Sequence, residues 1–237
     1  HSAAGRVMKI AASSASSASS FSPATCASTD VVFFSIRDAR LEVLLIRRAG
    51  APVHGAWCLP GGPVGRDEDL DRAAARELAE QTGVGDVYLE QLYTFGRPDR
   101  HPQDRVISVA YYALAPSEAL RLRPAPDVTA VEWFAVKALP QLAFDHAEIV
   151  GMAQSRLVAK LDYSTIAFQF MPDSFTLSEL QAVYETILGE EMDKRNFRRW
   201  VLALERIEET GAERRDGSHR PARLYRLKYP NKVEIIR

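Results

Sequence analysis

The chain has 237 residues, 46% hydrophobic and 26% charged, the balance of a folded globular protein and not of a disordered or collagenous one. No apolar run approaches the roughly 18 residues of a membrane span, and Cys26 and Cys58 are too few for a disulfide framework, so a cytoplasmic chain is expected, with no membrane partner. The net charge of −1 hides an asymmetry: residues 194–237 hold 13 Lys and Arg against 6 Asp and Glu, a local +7 that leaves −8 on residues 1–193. An acidic body with a basic end suggests two roles.

Residues 1–29 are expected to be a disordered Ser/Ala-rich tail, since positions 11–20 are entirely Ala and Ser and supply no core-facing stripe. The chain starts His1-Ser2, so residues 1–7 are expected to be an expression remnant ahead of Met8. Val31–Ile36 reads as a buried strand, Asp38-Ala39-Arg40 as a turn, and Leu41–Ile46 as the partner strand, ending in Arg47-Arg48. Trp57-Cys58-Leu59-Pro60-Gly61-Gly62 then supplies a short strand and a glycine turn where backbone approaches a ligand closely.

Acidic Glu68, Asp69 and Asp71 suit the first turn of a helix, and Gly83 suits its end. Within it Leu70, Ala74 and Leu78 make an inward stripe, while Glu77, Glu80 and Gln81 are spaced to share the other face. The whole run is Gly62-x5-Glu68-x7-Arg76-Glu77-Leu78-Ala79-Glu80-Gln81-Thr82-Gly83-Val84, which resembles the box of the Nudix hydrolases. The resemblance implies an acidic cluster holding Mg²⁺ against a pyrophosphate, with Glu68, Glu77 and Glu80 as metal ligands and Glu77 as candidate base. It also implies that Gln81 stands at a ligand position with its charge removed, and hard cations prefer anionic oxygen. Mg²⁺ is therefore expected to bind weakly and Glu77 to be vestigial as a catalyst. Gly61, Gly62 and the strand-end Arg47 and Arg48 are the candidates to meet the phosphates of a bound ligand.

Further strands are expected near Tyr88–Phe95, Arg105–Ala115 and Val128–Phe134. Between the first two, Gly96–Pro102 is a long polar loop, and its Arg100 is a further candidate for ligand contact. Leu142-Ala143-Phe144-Asp145-His146 leads into a helix from about Ala147 to Leu161, with His146 read as a cap or packing residue. The first domain is thus expected over 30–160, with 161–237 forming a second.

In that second part Thr176-Leu177-Ser178-Glu179 fits a capping box, Leu177, Leu180, Tyr184, Ile187 and Leu188 repeat at helical spacing, and Gly189 is a natural stop. Asp193 can cap another helix to about Leu204, with Phe197, Trp200, Val201 and Leu204 as its core stripe and Arg195 and Arg199 facing away. Arg214-Arg215-Asp216-Gly217 suits a hairpin turn and Leu224–Leu227 a return strand, the order of a winged helix-turn-helix. Duplex DNA attracts such cations through phosphate charge, and Arg and Asn also read guanine and adenine edges. The DNA-binding candidates are Lys194, Arg195, Asn196, Arg198 and Arg199 on the helix, with Arg214, Arg215, His219 and Arg220 on the wing.

With the altered box, the segments Leu92–Arg100, Leu142–His146, Phe175–Glu185, Asp193–Arg198 and Arg220–Tyr225 resemble the Nudix-related transcriptional regulators of NAD metabolism (the NrtR family). The resemblance implies an α/β/α Nudix sandwich with a mixed sheet, followed by a small α+β winged helix-turn-helix domain. It implies a homodimeric repressor of NAD biosynthesis or salvage genes that senses an NAD-related metabolite such as ADP-ribose and binds a palindromic operator. The competing expectation is an active Mg²⁺-dependent ADP-ribose pyrophosphohydrolase with an accessory tail.

Overall fold

Strand β1 (Cys26–Arg37) organises the first domain of the computed structural model, which describes residues 25–50, 55–117, 120–215, 221–230 and 232–236. One edge of β1 runs parallel to β6 (Val106–Leu114). The other is shared by β4 (Gly61–Pro63) near its start and β2 (Arg40–Arg48) near its end, both antiparallel. Beyond them, β5 (Tyr88–Phe95) borders β6, while β3 (Trp57–Cys58) and β7 (Val128–Ala135) both pair with β2. The mixed sheet matches the expected fold class, but β1 begins earlier than expected. Cys26–Thr29, assigned from composition to a disordered tail, are drawn into the sheet by backbone pairing on both sides, a tertiary gain that local composition does not report.

Both faces of β1 are apolar because both are covered. Val31 and Phe33 pack with Leu44, Tyr111, Ala74 and Leu78 beneath helix α1 (Leu70–Thr82). Val32 and Phe34 point the other way, to Val43, Leu45 and Ile149, Val150 and Leu157 of helix α2 (His146–Leu161). Helix α1 opens on Asp69, whose carboxylate accepts from Arg72 N at 2.9 Å, and ends on Gly83 with φ 77°. The left-handed turn and the nearby Arg123 backbone leave no room for a side chain at Gly83.

The second core is continuous with the first. After α2, a buried 3-10 segment (Ile166–Phe170) leads to α3 (Leu177–Leu188), which packs against both α2 and β2. Tyr184 on α3 meets Phe197 and Trp200 of α4 (Lys194–Ala203) edge-on, with ring centroids at 5.5 Å for each pair. The turn between α3 and α4 is stitched by side chains: Gln181 Nε2 donates to Met192 O at 2.9 Å, and Met192 N donates to Glu185 Oε1 at 2.9 Å. Strands β8 (Ile207–Arg214) and β9 (Ala222–Leu227) form the wing, and Phe175 bridges to Tyr225 as a third strand would. Arg214 therefore ends a strand, where the sequence suggested a turn; the Asp216-Gly217 part of that turn lies outside the described residues.

Glu179 completes the expected capping box: Thr176 Oγ1 accepts from Glu179 N at 3.1 Å, and Glu179 Oε2 accepts from Thr176 N at 2.7 Å. Substituting Thr176→Ala removes one arm, and urea unfolding of the full chain is expected to show a loss of about 1 kcal/mol with an unchanged slope.

Candidate functional site

A cleft of about 270 Å³ opens where β1, the β3–β4 turn, the loop after β5 and the N-terminus of α2 converge. Its rim is the glycine turn. A Cβ on Gly61 would overlap the Thr29 carbonyl, so only glycine lets the turn lie this close to β1, and one on Gly62 would displace the Glu77 carboxylate of α1.

The residues of the box are brought together around Arg76 and not around an open cation site. Arg76 Nε and Nη2 grip Glu68 at 2.7 and 2.9 Å, while Nη1 reaches Glu77 at 2.8 Å and Glu80 at 3.3 Å. Two hydrogen bonds from this guanidinium, with one from Gly65 N–H, hold the Glu68 carboxyl down at about 2, and the same carboxylates raise the Arg76 pKa. Glu77, Glu80 and Gln81 lie together as their spacing suggests, Glu77 linked to Glu80 through Arg76 and to Gln81 directly, but not all of them are exposed. Glu77 and Gln81 are buried beneath the glycine turn, and Glu80 alone of the three stays out towards solvent.

Gln81 is fully occupied. Its Oε1 accepts from Gly61 N at 3.0 Å and Arg48 Nη2 at 3.3 Å, and its Nε2 donates to Gly61 O at 2.9 Å and Glu77 Oε2 at 2.5 Å. An N–H thus points at the carboxylate where a metal-bound site would need a shared cation. Among the described residues no group of three or more His, Cys, Asp and Glu side chains is placed to hold a metal ion. As arranged, the Glu68, Glu77 and Glu80 carboxylates are turned to Arg76 and Gln81 and do not form an open Mg²⁺ site. Glu77, the candidate base, has both carboxylate oxygens engaged, by Arg76 and by Gln81.

The two strand-end arginines separate, because alternate residues on a strand face opposite ways. Arg48 lines the cleft and donates through Nη2 to Gly61 O, whereas Arg47 lies over the Trp57 ring, its guanidinium carbon 4.4 Å from the centroid. Arg100 also lines the cleft, but its guanidinium is buried and already bound: Nε and Nη2 to Asp145 at 3.0 and 2.8 Å, and Nη2 to Asp30 at 3.2 Å. It builds the floor and does not present a free cation to a ligand.

This floor is what sequence reasoning missed. Ser108 Oγ donates to Asp30 at 2.6 Å, His146 Nδ1 accepts from Leu59 N at 2.9 Å, and His146 Nε2 lies 3.4 Å from Asp30. With Nδ1 accepting, the proton belongs on Nε2, facing the carboxylate. Burial lowers the His146 pKa despite the nearby Asp30 and Asp145, so the ring is neutral. Asp145 precedes α2 yet makes no side-chain cap, because its carboxylate is spent on Arg100. Two charges in otherwise apolar strand and helix contexts, Asp30 and Asp145, were the available signal. Phe144, with φ 55°, is held in a left-handed conformation that puts its ring 5.2 Å from His101 at the cleft mouth. Such a backbone is costly for a bulky residue and is found where a site needs a side chain placed. Cys58, on the inner wall, is free and buried, its thiol pushed up to about 11 by desolvation.

In the second domain, Lys194, Arg195, Asn196, Arg198 and Arg199 are exposed on α4. Asp193 caps that helix, accepting from Asn196 N at 2.8 Å, and Asn196 Oδ1 accepts from Arg199 at 3.0 Å. Arg214 is bound to the capping-box Glu179 at 2.5 Å, so it pins the wing to α3; Arg215 is exposed. His219 and Arg220 lie outside the described residues.

Two family models match: a NUDIX domain over residues 28–151 and an NrtR DNA-binding winged helix domain over residues 167–227. Over 209 residues the chain is 36% identical to the ADPR responsive transcriptional repressor NtrR of Acinetobacter baylyi, covering 86% of this chain and 83% of that protein. The chain belongs to the NrtR family. Its fold is similar to that of Shewanella oneidensis NrtR complexed with a 27mer DNA, at 37% identity and a TM-score of 0.77, covering 85% of this chain and 93% of that one. The Nudix domain of Shewanella oneidensis NrtR complexed with ADP ribose is also similar, at 36% identity and TM-score 0.52, over 58% of this chain and 94% of that one. In this NrtR-family chain no helix of the described residues is long and apolar enough to cross a membrane.

Asp145→Asn takes one of two carboxylates from the buried Arg100 and leaves it Asp30 and an amide oxygen. The expected outcome is a loss of about 1–3 kcal/mol in denaturant unfolding. His146 adds a pH dependence. Its folded pKa lies below its unfolded one, so the unfolded state binds more protons and stability falls as pH drops below about 6.5, a slope that His146→Gln should flatten.

Proposed function

We propose that this chain is a cytoplasmic transcriptional repressor, in which residues 30–160 bind ADP-ribose or a related pyrophosphate metabolite of NAD and residues 161–237 bind operator DNA. The observation that carries this reading is the exposed basic face of α4, set behind a capped and side-chain-stitched helical turn and followed by a wing. A cation cluster on a fixed helix, with no acidic partner bound to Lys194 or Arg195 among the described residues, is suited to a polyanion. Membership of the NrtR family, with relatives described as ADP-ribose-responsive and as bound to DNA, supplies the ligand class and the partner.

In this reading Arg195 and Asn196 read base edges, Lys194, Arg198, Arg199 and Arg215 meet phosphate, and Arg214 holds the wing in place while contributing charge. His219 and Arg220, which lie outside the described residues, are assigned to DNA contact from the sequence alone. Two copies on a palindromic operator would place two α4 helices in successive major grooves. The genes controlled would be those of NAD biosynthesis or salvage. In the cleft, Arg48 and the Gly61-Gly62 turn face the pyrophosphate. Against a hydrolase stands the engagement of both Glu77 oxygens by Arg76 and Gln81, which stabilises the carboxylate in place and weakens it as a base toward water.

Electrophoretic shifts on promoters of NAD-pathway genes test the proposal. Saturating ADP-ribose is expected to change operator affinity by roughly 5–150-fold; unchanged binding would remove the sensing role. Arg195→Ala should cost about 1–3 kcal/mol on the operator and far less on random DNA. Equal losses on both would reduce Arg195 to a phosphate contact.

A further inference from the structure

We infer that the Gln81 carboxamide, set behind the Gly61-Gly62 rim of the cleft, joins the box there as a metal ion would, so that a pyrophosphate ligand binds without a divalent cation, and that the residue at position 81, acting with Arg76, sets the metal requirement of the site. The inference rests on the reading that the cleft takes such a ligand.

A Gln side chain offers two N–H donors and two acceptor lone pairs. Here all are matched: Gly61 N and Arg48 approach the oxygen, while Gly61 O and Glu77 Oε2 receive from the nitrogen at 2.9 and 2.5 Å. The amide ties the glycine turn to α1 through both polar groups of one peptide residue. It also supplies the hydrogen-bond donor that the second oxygen of Glu77 requires, the first being held by Arg76 at 2.8 Å.

A carboxylate at position 81 would reverse this. With no N–H, its second oxygen would face Gly61 O and Glu77 Oε2 across those same distances, placing three acceptors together with nothing between them. Burial makes that arrangement unfavourable unless a proton or a cation enters. Gln81 removes the need for either. The positive charge presented to an anionic ligand comes from the chain itself: Arg48 lines the cleft and is anchored through Nη2 on both Gly61 O and Gln81 Oε1. The box thus has a coherent arrangement with no metal in it, its carboxylates neutralised by Arg76 below and by an amide above.

The test uses the full-length chain. ADP-ribose binding is measured by calorimetry in EDTA and in Mg²⁺, and binding of Mn²⁺ alone is read from the loss of its free electron-spin resonance signal. The wild-type chain is expected to bind ADP-ribose within about twofold in the two buffers and to leave millimolar Mn²⁺ free. Q81E is expected to bind Mn²⁺, to lose about tenfold or more in ADP-ribose affinity in EDTA, and to recover it in Mg²⁺. Q81M, which has no amide and no charge, should weaken binding with no response to metal. Wild-type binding that requires Mg²⁺ overturns the inference, and so does a folded Q81E that ignores metal. If Q81E fails to fold, the wild-type comparison in EDTA and Mg²⁺ still decides. Should wild type bind no ADP-ribose in either buffer while Q81E alone captures Mn²⁺, the metal substitution stands and the ligand assignment falls.

Discussion

The Gly61-Gly62 backbone lies directly on helix α1, and much of the cleft depends on how that contact is made. Gly61 cannot carry a Cβ, because the Thr29 carbonyl of β1 occupies that space, and a Cβ on Gly62 would push the Glu77 carboxylate from its place on α1. The contact is closed by the Gln81 amide, which exchanges hydrogen bonds with both polar groups of Gly61. With the turn fixed in this way, β4 stays paired to β1, Arg48 is held at the rim, and Glu77 is shielded from water. The box keeps its spacing and its helix. What differs is the species that joins the carboxylates: a guanidinium and an amide.

The cleft is connected to the DNA-facing end by covalent and packing continuity. Helix α2 begins at the floor of the cleft, where Asp145 and His146 meet Arg100 and Asp30, and ends at Leu161 beside the segment that enters the winged helix. There Ser164 Oγ donates to Lys160 O at 2.7 Å, and residues 163–165 are laced to the C-terminal segment through Ile236 N to Tyr163 O and Thr165 N to Glu234 O. Arg206, just ahead of the wing, binds Glu234 at 2.9 Å. One apolar core runs from Val32 and Phe34 through α2 and the 3-10 segment to Tyr184, Phe197 and Tyr225. A densely packed connection of this kind transmits small displacements instead of absorbing them. A ligand acts through it only to the extent that it prefers one arrangement over another.

Much of this was legible in the sequence where local rules decide. The capping box at Thr176, the stop at Gly189, the Asp193 cap and the Gly83 terminus are set by one or two side chains, and all formed as read. The spacing of Arg76, Glu77, Glu80 and Gln81 located the box. It did not reveal that Arg76 would sit at the centre of the acidic residues, because helical spacing specifies a face and not which charge fills the middle. Cys26–Thr29 were misread because strand pairing came from distant β6 and β4. Arg100 and Arg214 looked like free cations, yet Asp145, 45 residues away, and Glu179, 35 residues away, claim them. Arg47 and Arg48 could not be told apart until the strand had a direction, after which alternation sent one to the cleft and the other onto Trp57.

The central claim is that one molecule couples a nucleotide-sized cleft to a basic winged helix, and linkage makes this measurable from the cleft side. ADP-ribose affinity should be measured by calorimetry on the free protein and on the protein saturated with operator DNA. The account predicts that operator changes ADP-ribose affinity by the same factor by which ADP-ribose changes operator affinity. Identical ADP-ribose affinity with and without operator would contradict it.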